Sequence, residues 1–271
     1  MDALVLLMGL LVGSFLGLVS HRLPAMLERS WRAQCAAISD ANPVAGETYN
    51  LWRPASHCPH CNHRLGPLEN VPLLSWLAQG GRCRACQAPI GWREPAIELA
   101  SAALAWLAYW RYGATLDAAL VAACLWTLLV ASSIDLQRQW LPDQLTLPLL
   151  WTGLLVNLDG RFIPLDDAVL GAAAGYLVLW AVSMPFQWLT GREGMGEGDF
   201  KLLAAIGAWA GWQALPGVVL TSSILGVAWG LAAITLLKRS RGEPMPFGPM
   251  LSLAGGIAIL VPTALPGAFG A

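Results

Sequence analysis

Charged residues are scarce in this chain of 271 residues, because Asp, Glu, Lys and Arg together make up only 12% of it. An ordinary soluble domain carries roughly 25% charged residues. The chain also lacks an excess of positive charge, since its formal net charge is −1. Without a positive field nothing draws nucleic acid to the protein, which argues against a nucleic-acid-binding function. Hydrophobic residues make up 56% of the chain, which excludes a disordered chain and predicts a membrane protein.

Apolar runs recur along the whole sequence. A helix that crosses ~30 Å of hydrocarbon needs about 20 mostly apolar residues. We therefore predict an all-α polytopic membrane protein with about eight transmembrane helices. The first run is expected to be a retained anchor, because no basic residues precede it and Asp2 is its only flanking charge. The runs are residues 3–19, 95–110, 114–134, 145–158, 168–190, 202–214, 216–237 and 250–266.

The distribution of Lys and Arg predicts the orientation, because loops rich in these residues stay in the cytoplasm. Three parts are predicted: the first transmembrane helix (1–19), a loop (20–94) and a transmembrane bundle (95–271). Fourteen of the sixteen basic side chains lie on the face that carries the loop, and only Arg111 and Arg161 lie on the other. The loop is therefore predicted to be cytoplasmic, with both termini outside. Outside the loop, the basic face carries Arg138, Arg192, Lys201, Lys238, Arg239 and Arg241.

Glycines at four-residue spacing recur inside the apolar runs. Lipid supplies no hydrophobic drive between helices, so small residues that allow close backbone approach are typical of membrane bundles. We interpret these glycines as packing positions without a catalytic role. They are Gly9, Gly13 and Gly17; Gly171 and Gly175; Gly207 and Gly211; and Gly226 and Gly230.

Two Cys-x-x-Cys pairs lie in the loop, Cys58 with Cys61 and Cys83 with Cys86, with 21 residues between them. Paired thiolates at this spacing are typical of a tetrahedral Zn²⁺ site. Four thiolates leave no open position, so the metal is predicted to be structural and to stabilise a loop with few apolar residues. Two dithiols without metal are the alternative. The nearby histidines are interpreted as solvated loop residues: His57, His60 and His63.

Two acids at the predicted cytoplasmic boundary stand apart from the others. Asp135 ends the third apolar run, and Asp199 begins the sixth after alternating glycines at 194–198. The fold can bring the two together, and the glycines predict a non-helical backbone open to a substrate peptide. A simple helix N-cap at Asp199 is the structural alternative. The roles of Asp143 and Glu98 stay open.

Paired carboxylates have a specific chemical use. Two that lie close together cannot both ionise, so one keeps a proton while the other activates water for peptide hydrolysis. A helix N-terminus favours an anion and a C-terminus disfavours it. We therefore expect Asp199 to be the resting base and Asp135 the acid, in a pair that titrates as a unit.

The residues in this order resemble the bacterial type IV prepilin peptidases, also called leader peptidase/N-methyltransferases, which are GxGD-type intramembrane aspartic proteases. The resemblance covers nearly the whole chain. It departs at Gly17, His21 and Glu94, where the family usually has Asn, Tyr and Tyr. Besides the cysteine pairs, the shared segments are GSFL (13–16), HRLP (21–24), ENVPLLSWL (69–77), GRCR (81–84), ID (134–135), LPD (141–143) with Thr146, and GEGDFK (196–201).

The resemblance implies an enzyme of the bacterial inner membrane that removes the basic leader from type IV prepilins and type II secretion pseudopilins. Its catalytic pair would be Asp135 and Asp199, and its cysteine loop would bind zinc. It also implies methylation of the new N-terminal residue, usually Phe, with S-adenosylmethionine. No Gly-x-Gly-x-x-Gly turn is visible, so the sequence does not identify the residues of an S-adenosylmethionine pocket.

Two functions of other classes remain open from the residues alone. A membrane dithiol-disulfide oxidoreductase would exchange disulfides through the cysteine pairs, although these are predicted on the reducing side. A transporter with a metal-stapled loop would use the intramembrane acids to bind protons.

Overall fold

The structure is a computed structural model that describes residues 1–39, 48–191, 194–236 and 245–261. Its regular structure in these ranges is helical, with two isolated β-bridges in the cysteine loop. The all-α prediction is therefore confirmed. Part of the predicted topology lies outside the described residues, namely the end of the eighth run and Arg192, Lys238, Arg239 and Arg241.

Every predicted apolar run overlaps a helix. Short 3₁₀ turns cover Pro67–Asn70 and Trp212–Ala214. In the described part of the chain the α-helices are α1 (Asp2–Ile38), α2 (Leu74–Ala78), α3 (Arg93–Tyr112), α4 (Leu116–Arg138), α5 (Asp143–Val156), α6 (Leu165–Thr190), α7 (Glu197–Ala210), α8 (Leu215–Thr235) and α9 (Gly248–Leu260).

Four helical stretches of the described ranges are long and apolar enough to cross a membrane: α1, α4, α6 and the stretch Trp212–Thr235 that ends with α8. Helices α5 and α7 each have 14 residues and α9 has 13. At a rise of 1.5 Å per residue such helices reach about 20 Å, which is less than the ~30 Å of hydrocarbon. Eight transmembrane helices therefore remain a prediction.

Helix α1 is longer than the sequence pattern predicts, since it continues to Ile38 through Pro24. The first part of the segment predicted as a loop is therefore helical. The apolar pattern does not extend over residues 25–38 because Glu28, Arg29 and Arg32 interrupt it. This segment is nevertheless rich in strong helix formers such as Ala, Leu, Met, Glu and Arg.

The chain divides into two compact units, Met1–Ala122 and Ala123–Ala271. In the first unit α1 packs against α3. A Cβ atom on Gly9 would lie 2.5 Å from the Cα of Ala102, and one on Gly13 would lie 2.6 Å from the Cα of Glu98. The predicted packing role of these two glycines is confirmed. Gly17 differs, because nothing lies within 4 Å of the position its Cβ would take.

Helix α7 forms the centre of the second unit. It packs against α5, α6 and α9, and every residue from Leu202 to Trp209 is buried. A Cβ atom on Gly175 of α6 would lie 2.6 Å from the carbonyl oxygen of Leu203. The Gly171 and Gly207 backbones are also in contact. Close approach of α6 to α7 therefore requires glycine, as predicted for these positions.

The remaining predicted glycines are Gly211, Gly226 and Gly230. Gly211 ends α7 with a φ of 82°, so it caps the helix, and its backbone also packs against Gly171, since a Cβ on Gly171 would lie 3.0 Å from the Gly211 carbonyl carbon. Gly226 and Gly230 of α8 face the side chains of Phe247 and Met245.

Candidate functional site

The cysteine loop consists of two turns with the same hydrogen-bond pattern. Cys58 and Cys83 each donate their backbone N–H to the carbonyl oxygen five residues later, at 2.9 Å. Each also accepts a hydrogen bond from the N–H four residues later, which belongs to Asn62 or Gln87. Both of these residues have a φ of 58°. The two Cys-x-x-Cys pairs are thus two copies of one local structure.

The four sulfur atoms of the loop converge, all within 4.8 Å of one another. The Sγ atoms of Cys58 and Cys86 are 3.8 Å apart, and those of Cys61 and Cys83 are 3.9 Å apart. Sulfur atoms at ~2.3 Å from a tetrahedral Zn²⁺ would be about 3.8 Å apart. A disulfide would need about 2.05 Å. The predicted convergence is therefore confirmed, and the donor set fits a thiolate-binding divalent metal.

Backbone groups in both turns favour thiolates. The N–H groups of Cys61 and of the residue before it lower the pKa of the Cys58 thiol to about 7. The equivalent N–H groups, led by that of Cys86, lower the pKa of the Cys83 thiol. Because the thiolate is the metal-binding form of cysteine, the turns prepare both buried sulfurs for a metal.

His63 is only partly solvated, whereas His57 and His60 are exposed as predicted. His63 is half-buried, and its Nε2 lies 3.1 Å from Oε2 of Glu69. The backbone N–H of Gly66 donates to the same oxygen at 2.8 Å. The Gly66 N–H and then His63 lower the pKa of Glu69. The contact between His63 and Glu69 therefore connects the first cysteine turn to the 3₁₀ turn that follows it.

Asp135 and Asp199 both lie in the second unit and are buried, with 5% and 9% of their surface exposed. Asp135 lies in the last turn of α4, and Asp199 is the third residue of α7. The carboxylates are close enough to interact electrostatically. The structure therefore brings the predicted pair to one buried place, and its catalytic role remains a prediction.

Gly248, the first residue of α9, contacts Asp135. Its backbone N–H donates to Oδ2 of Asp135 at 2.9 Å, and a Cβ there would lie 2.8 Å from that oxygen. Only glycine leaves room for this hydrogen bond. Sequence reasoning missed Gly248, although Pro249 directly after it marks the start of a helix.

The contacts of Asp135 and Asp199 are too similar to assign one as the base and the other as the acid. The N–H of Gly196 donates to Asp199 just as the N–H of Gly248 donates to Asp135. Each carboxylate therefore lies at the N-terminal end of a helix, α7 for Asp199 and α9 for Asp135. The helix-dipole argument for Asp199 as base and Asp135 as acid no longer distinguishes them.

The glycine segment before Asp199 is only partly extended. Gly196 has φ −74° and ψ 146°, but α7 begins at Glu197. The predicted non-helical backbone through Gly198 is therefore wrong at its last two residues. A Cβ on Gly198 would lie 2.7 Å from the Cβ of Leu141, so this glycine lets α7 approach the segment before α5.

Asp143 has an ionic partner outside the buried pair. Nζ of Lys201 lies 2.7 and 2.9 Å from its two carboxylate oxygens. This ion pair ties the start of α5 to α7 two residues beyond Asp199. Glu98 lies in the first unit, where it is buried on α3.

Comparison with known proteins finds relatives along both units. The family model described as the type IV leader peptidase family matches residues 122–231, and that of the bacterial peptidase A24 N-terminal domain matches residues 7–112. The two matches meet close to the boundary between the structural units. No solved structure matches the chain significantly.

Three curated relatives illustrate the match, and each is named prepilin leader peptidase/N-methyltransferase. The protein of Aeromonas hydrophila is 53% identical over 263 residues, covering 95% of this chain and 90% of the relative. That of Pseudomonas aeruginosa is 50% identical over 256 residues, covering 94% and 88%. That of Burkholderia pseudomallei strain 1026b is 53% identical over 263 residues, covering 95% and 84%.

Proposed function

The chain belongs to the type IV leader peptidase family and is a prepilin leader peptidase and N-methyltransferase, and we propose that Asp135 and Asp199 carry out its leader cleavage. The observation that carries this proposal is the burial of both carboxylates within electrostatic reach of each other. Neither has a basic partner in the ranges that the structure describes. Family membership decides against the dithiol oxidoreductase and the transporter.

The pair acts by sharing one proton. The ionised carboxylate takes a proton from water, whose oxygen attacks the carbonyl carbon of the scissile peptide bond. The protonated carboxyl gives its proton to the peptide, the C–N bond breaks and the new N-terminus leaves as an amine. The N–H groups of Gly248 and Gly196 hold the two carboxylates and stabilise negative charge on either one.

The proposed substrates are membrane-anchored precursors, type IV prepilins and type II secretion pseudopilins. Such a precursor joins a basic leader to an apolar helix, so its scissile bond lies at the cytoplasmic boundary of the inner membrane. The predicted topology puts Asp135 and Asp199 at the same depth.

Leader cleavage by the purified protein in detergent is the direct test. We expect a synthetic precursor to lose its leader without any ion gradient, as measured by mass spectrometry of the products. Cleavage that needs an ion gradient would contradict an aspartyl-pair hydrolase and favour coupling to transport.

The cysteine loop is proposed to bind one zinc ion. Its ligands are Cys58, Cys61, Cys83 and Cys86, whose closed four-sulfur geometry leaves no position for substrate. The ion therefore has a structural role and stabilises the loop. S-adenosylmethionine supplies an electrophilic methyl group for the second reaction.

The proposed topology has eight transmembrane helices in the bacterial inner membrane, with the cysteine loop inside and both termini outside. Cys35 tests it, because this exposed thiol lies near the end of α1 and is not a metal ligand. We expect a membrane-impermeant maleimide to label Cys35 in inside-out vesicles and not in intact cells. Cys35→Ser identifies the specific label, and labelling of Cys35 in intact cells would reverse the orientation.

A further inference from the structure

A cavity of about 730 Å³ lies in the first unit, lined by α1, the cysteine loop and the start of α3. This volume is in the range of sites for small molecules. Apolar side chains of α1 line one part, among them Leu11, Phe15 and Leu18. Loop residues such as Asn70 and Gln79 make another part polar. Leader cleavage by the aspartate pair, which belongs to the second unit, leaves this cavity without a role.

Glu98 is the buried acid of the cavity wall, with only 8% of its surface exposed. It accepts a hydrogen bond from the Leu73 N–H at 2.7 Å and interacts with the Ser14 side chain. No Lys, Arg or His of the described residues forms an ion pair with it. A buried carboxylate without a cation is unfavourable, and Glu94, one turn earlier on the same wall, adds a second acid. Glu98 and Glu94 thus favour a cationic group beside them, although the basic residues Arg22 and His21 also line the cavity.

The backbone beside Glu98 is strained. Leu73 has φ 55° and ψ −46°, which side-chain-bearing residues rarely adopt. Its N–H points at the Glu98 carboxylate, so the acid holds the loop in this conformation. Strain of this kind is concentrated at ligand sites, where the surrounding structure over-determines it.

We propose that this cavity is the methyl-transfer site and that Glu98 binds the α-ammonium group of the newly exposed N-terminal residue. The proposal rests on the proposed function, since leader cleavage creates that amine. The methyl donor carries an α-ammonium group too. The apolar side chains of α1 favour the pilin terminus, whose first residue is apolar and whose chain continues as an apolar helix.

The reaction balances with Glu98 as proton acceptor. The bound ammonium first gives one proton to the Glu98 carboxylate. The amine lone pair then attacks the methyl carbon of the sulfonium donor, so that an N–C bond forms and a C–S bond breaks. A thioether and a secondary ammonium leave the site, and Glu98 returns its proton to water.

A peptide-binding measurement distinguishes a ligand-binding role of Glu98 from a structural one. The peptide has the mature N-terminal sequence and begins with Phe. Gln at position 98 can still accept the Leu73 hydrogen bond while removing the charge. We expect Glu98→Gln to weaken binding of the free-amine peptide at least about tenfold, the loss of a charge-assisted contact. The N-acetyl peptide should bind wild type and variant equally weakly.

Ser101→Ala is the matched control, because Ser101 is a buried polar residue of the same helix that donates to the Gly9 carbonyl. It should bind the free-amine peptide as wild type does. Unchanged binding by Glu98→Gln would overturn the proposal. So would weaker binding of S-adenosylhomocysteine with unchanged peptide binding, which would assign Glu98 to the donor. The peptide is already cleaved, so a failure of the aspartate proposal would not affect these results.

Discussion

Asp135→Asn and Asp199→Asn are each expected to lower the rate of leader cleavage by about three orders of magnitude or more. An amide can neither take a proton from water nor give one to the leaving amine, and general acid–base groups contribute roughly 10²–10⁴-fold each. Asn is close in shape to Asp, so the hydrogen bonds from Gly248 and Gly196 can persist in the variants. The measurement is the rate of leader removal by purified enzyme, followed by mass spectrometry.

The double variant sharpens this prediction. Two groups that share one proton act as a unit, so losing both should cost little more than losing one. Asp143→Asn provides the matched control, because Asp143 is an acid of the same unit that pairs with Lys201 at the exposed start of α5. Its loss removes only a partly exposed ion pair, which is worth about 1 kcal/mol or less. We expect cleavage by this variant to stay close to wild type.

Two results would contradict the catalytic role of the pair. One is cleavage near the wild-type rate by either single variant that is folded, as judged by thermal unfolding in detergent. The other is a loss by Asp143→Asn as large as that by Asp135→Asn, since this would point to folding rather than to chemistry.

The sequence predicted those parts of the site that depend on spacing. Cys-x-x-Cys fixes the geometry of each turn locally, so the four sulfurs could be expected to converge on one metal. Apolar runs likewise identified the helices, and glycine spacing identified positions such as Gly171 and Gly175 at which helices pack closely. Both patterns repeat within a single helix or turn. They can therefore be recognised in the sequence without knowledge of contacts between distant segments.

The features that the sequence did not predict depend on contacts between distant segments. Gly248 meets Asp135 across 113 positions, and Leu73 meets Glu98 across 25. No periodicity records either contact. Because of the first contact, Asp135 of α4 also lies against the N-terminus of α9. The predicted difference in helix dipole between Asp135 and Asp199 is therefore absent.

Gly17 lines the cavity of the first unit and is one of the positions at which the chain departs from the family pattern. The resemblance implies Asn at this position, and open space adjoins Gly17 on the wall of the 730 Å³ cavity. The smaller residue therefore enlarges the cavity rather than closing a helix contact. This chain has a roomier pocket than an Asn at that position would allow.

The Cys83→Ser variant is expected to lose the metal of the cysteine loop, and without the metal this loop should unfold. Wild-type protein should contain one zinc ion per chain, as measured by mass spectrometry of the metal. Cys83 is buried with 3% of its surface exposed, and a hydroxyl is a much poorer zinc ligand than a thiolate. Structural zinc contributes about 10–16 kcal/mol of apparent binding free energy in small metal-dependent domains, so loss of one ligand should cost several kcal/mol.

The consequences for the two reactions should differ, and this makes the metal prediction specific. Cys58 and Cys83 line the cavity proposed for methyl transfer, so an unfolded loop should abolish peptide methylation. The aspartate pair belongs to the other unit, so we expect leader cleavage to persist.

Limited proteolysis should cut the Cys83→Ser variant within residues 50–92. The control is Cys35→Ser, which removes an exposed thiol that does not belong to the four-cysteine cluster, and this variant should stay resistant. Wild-type protein free of metal yet resistant to the protease would show that the four thiols fold the loop on their own.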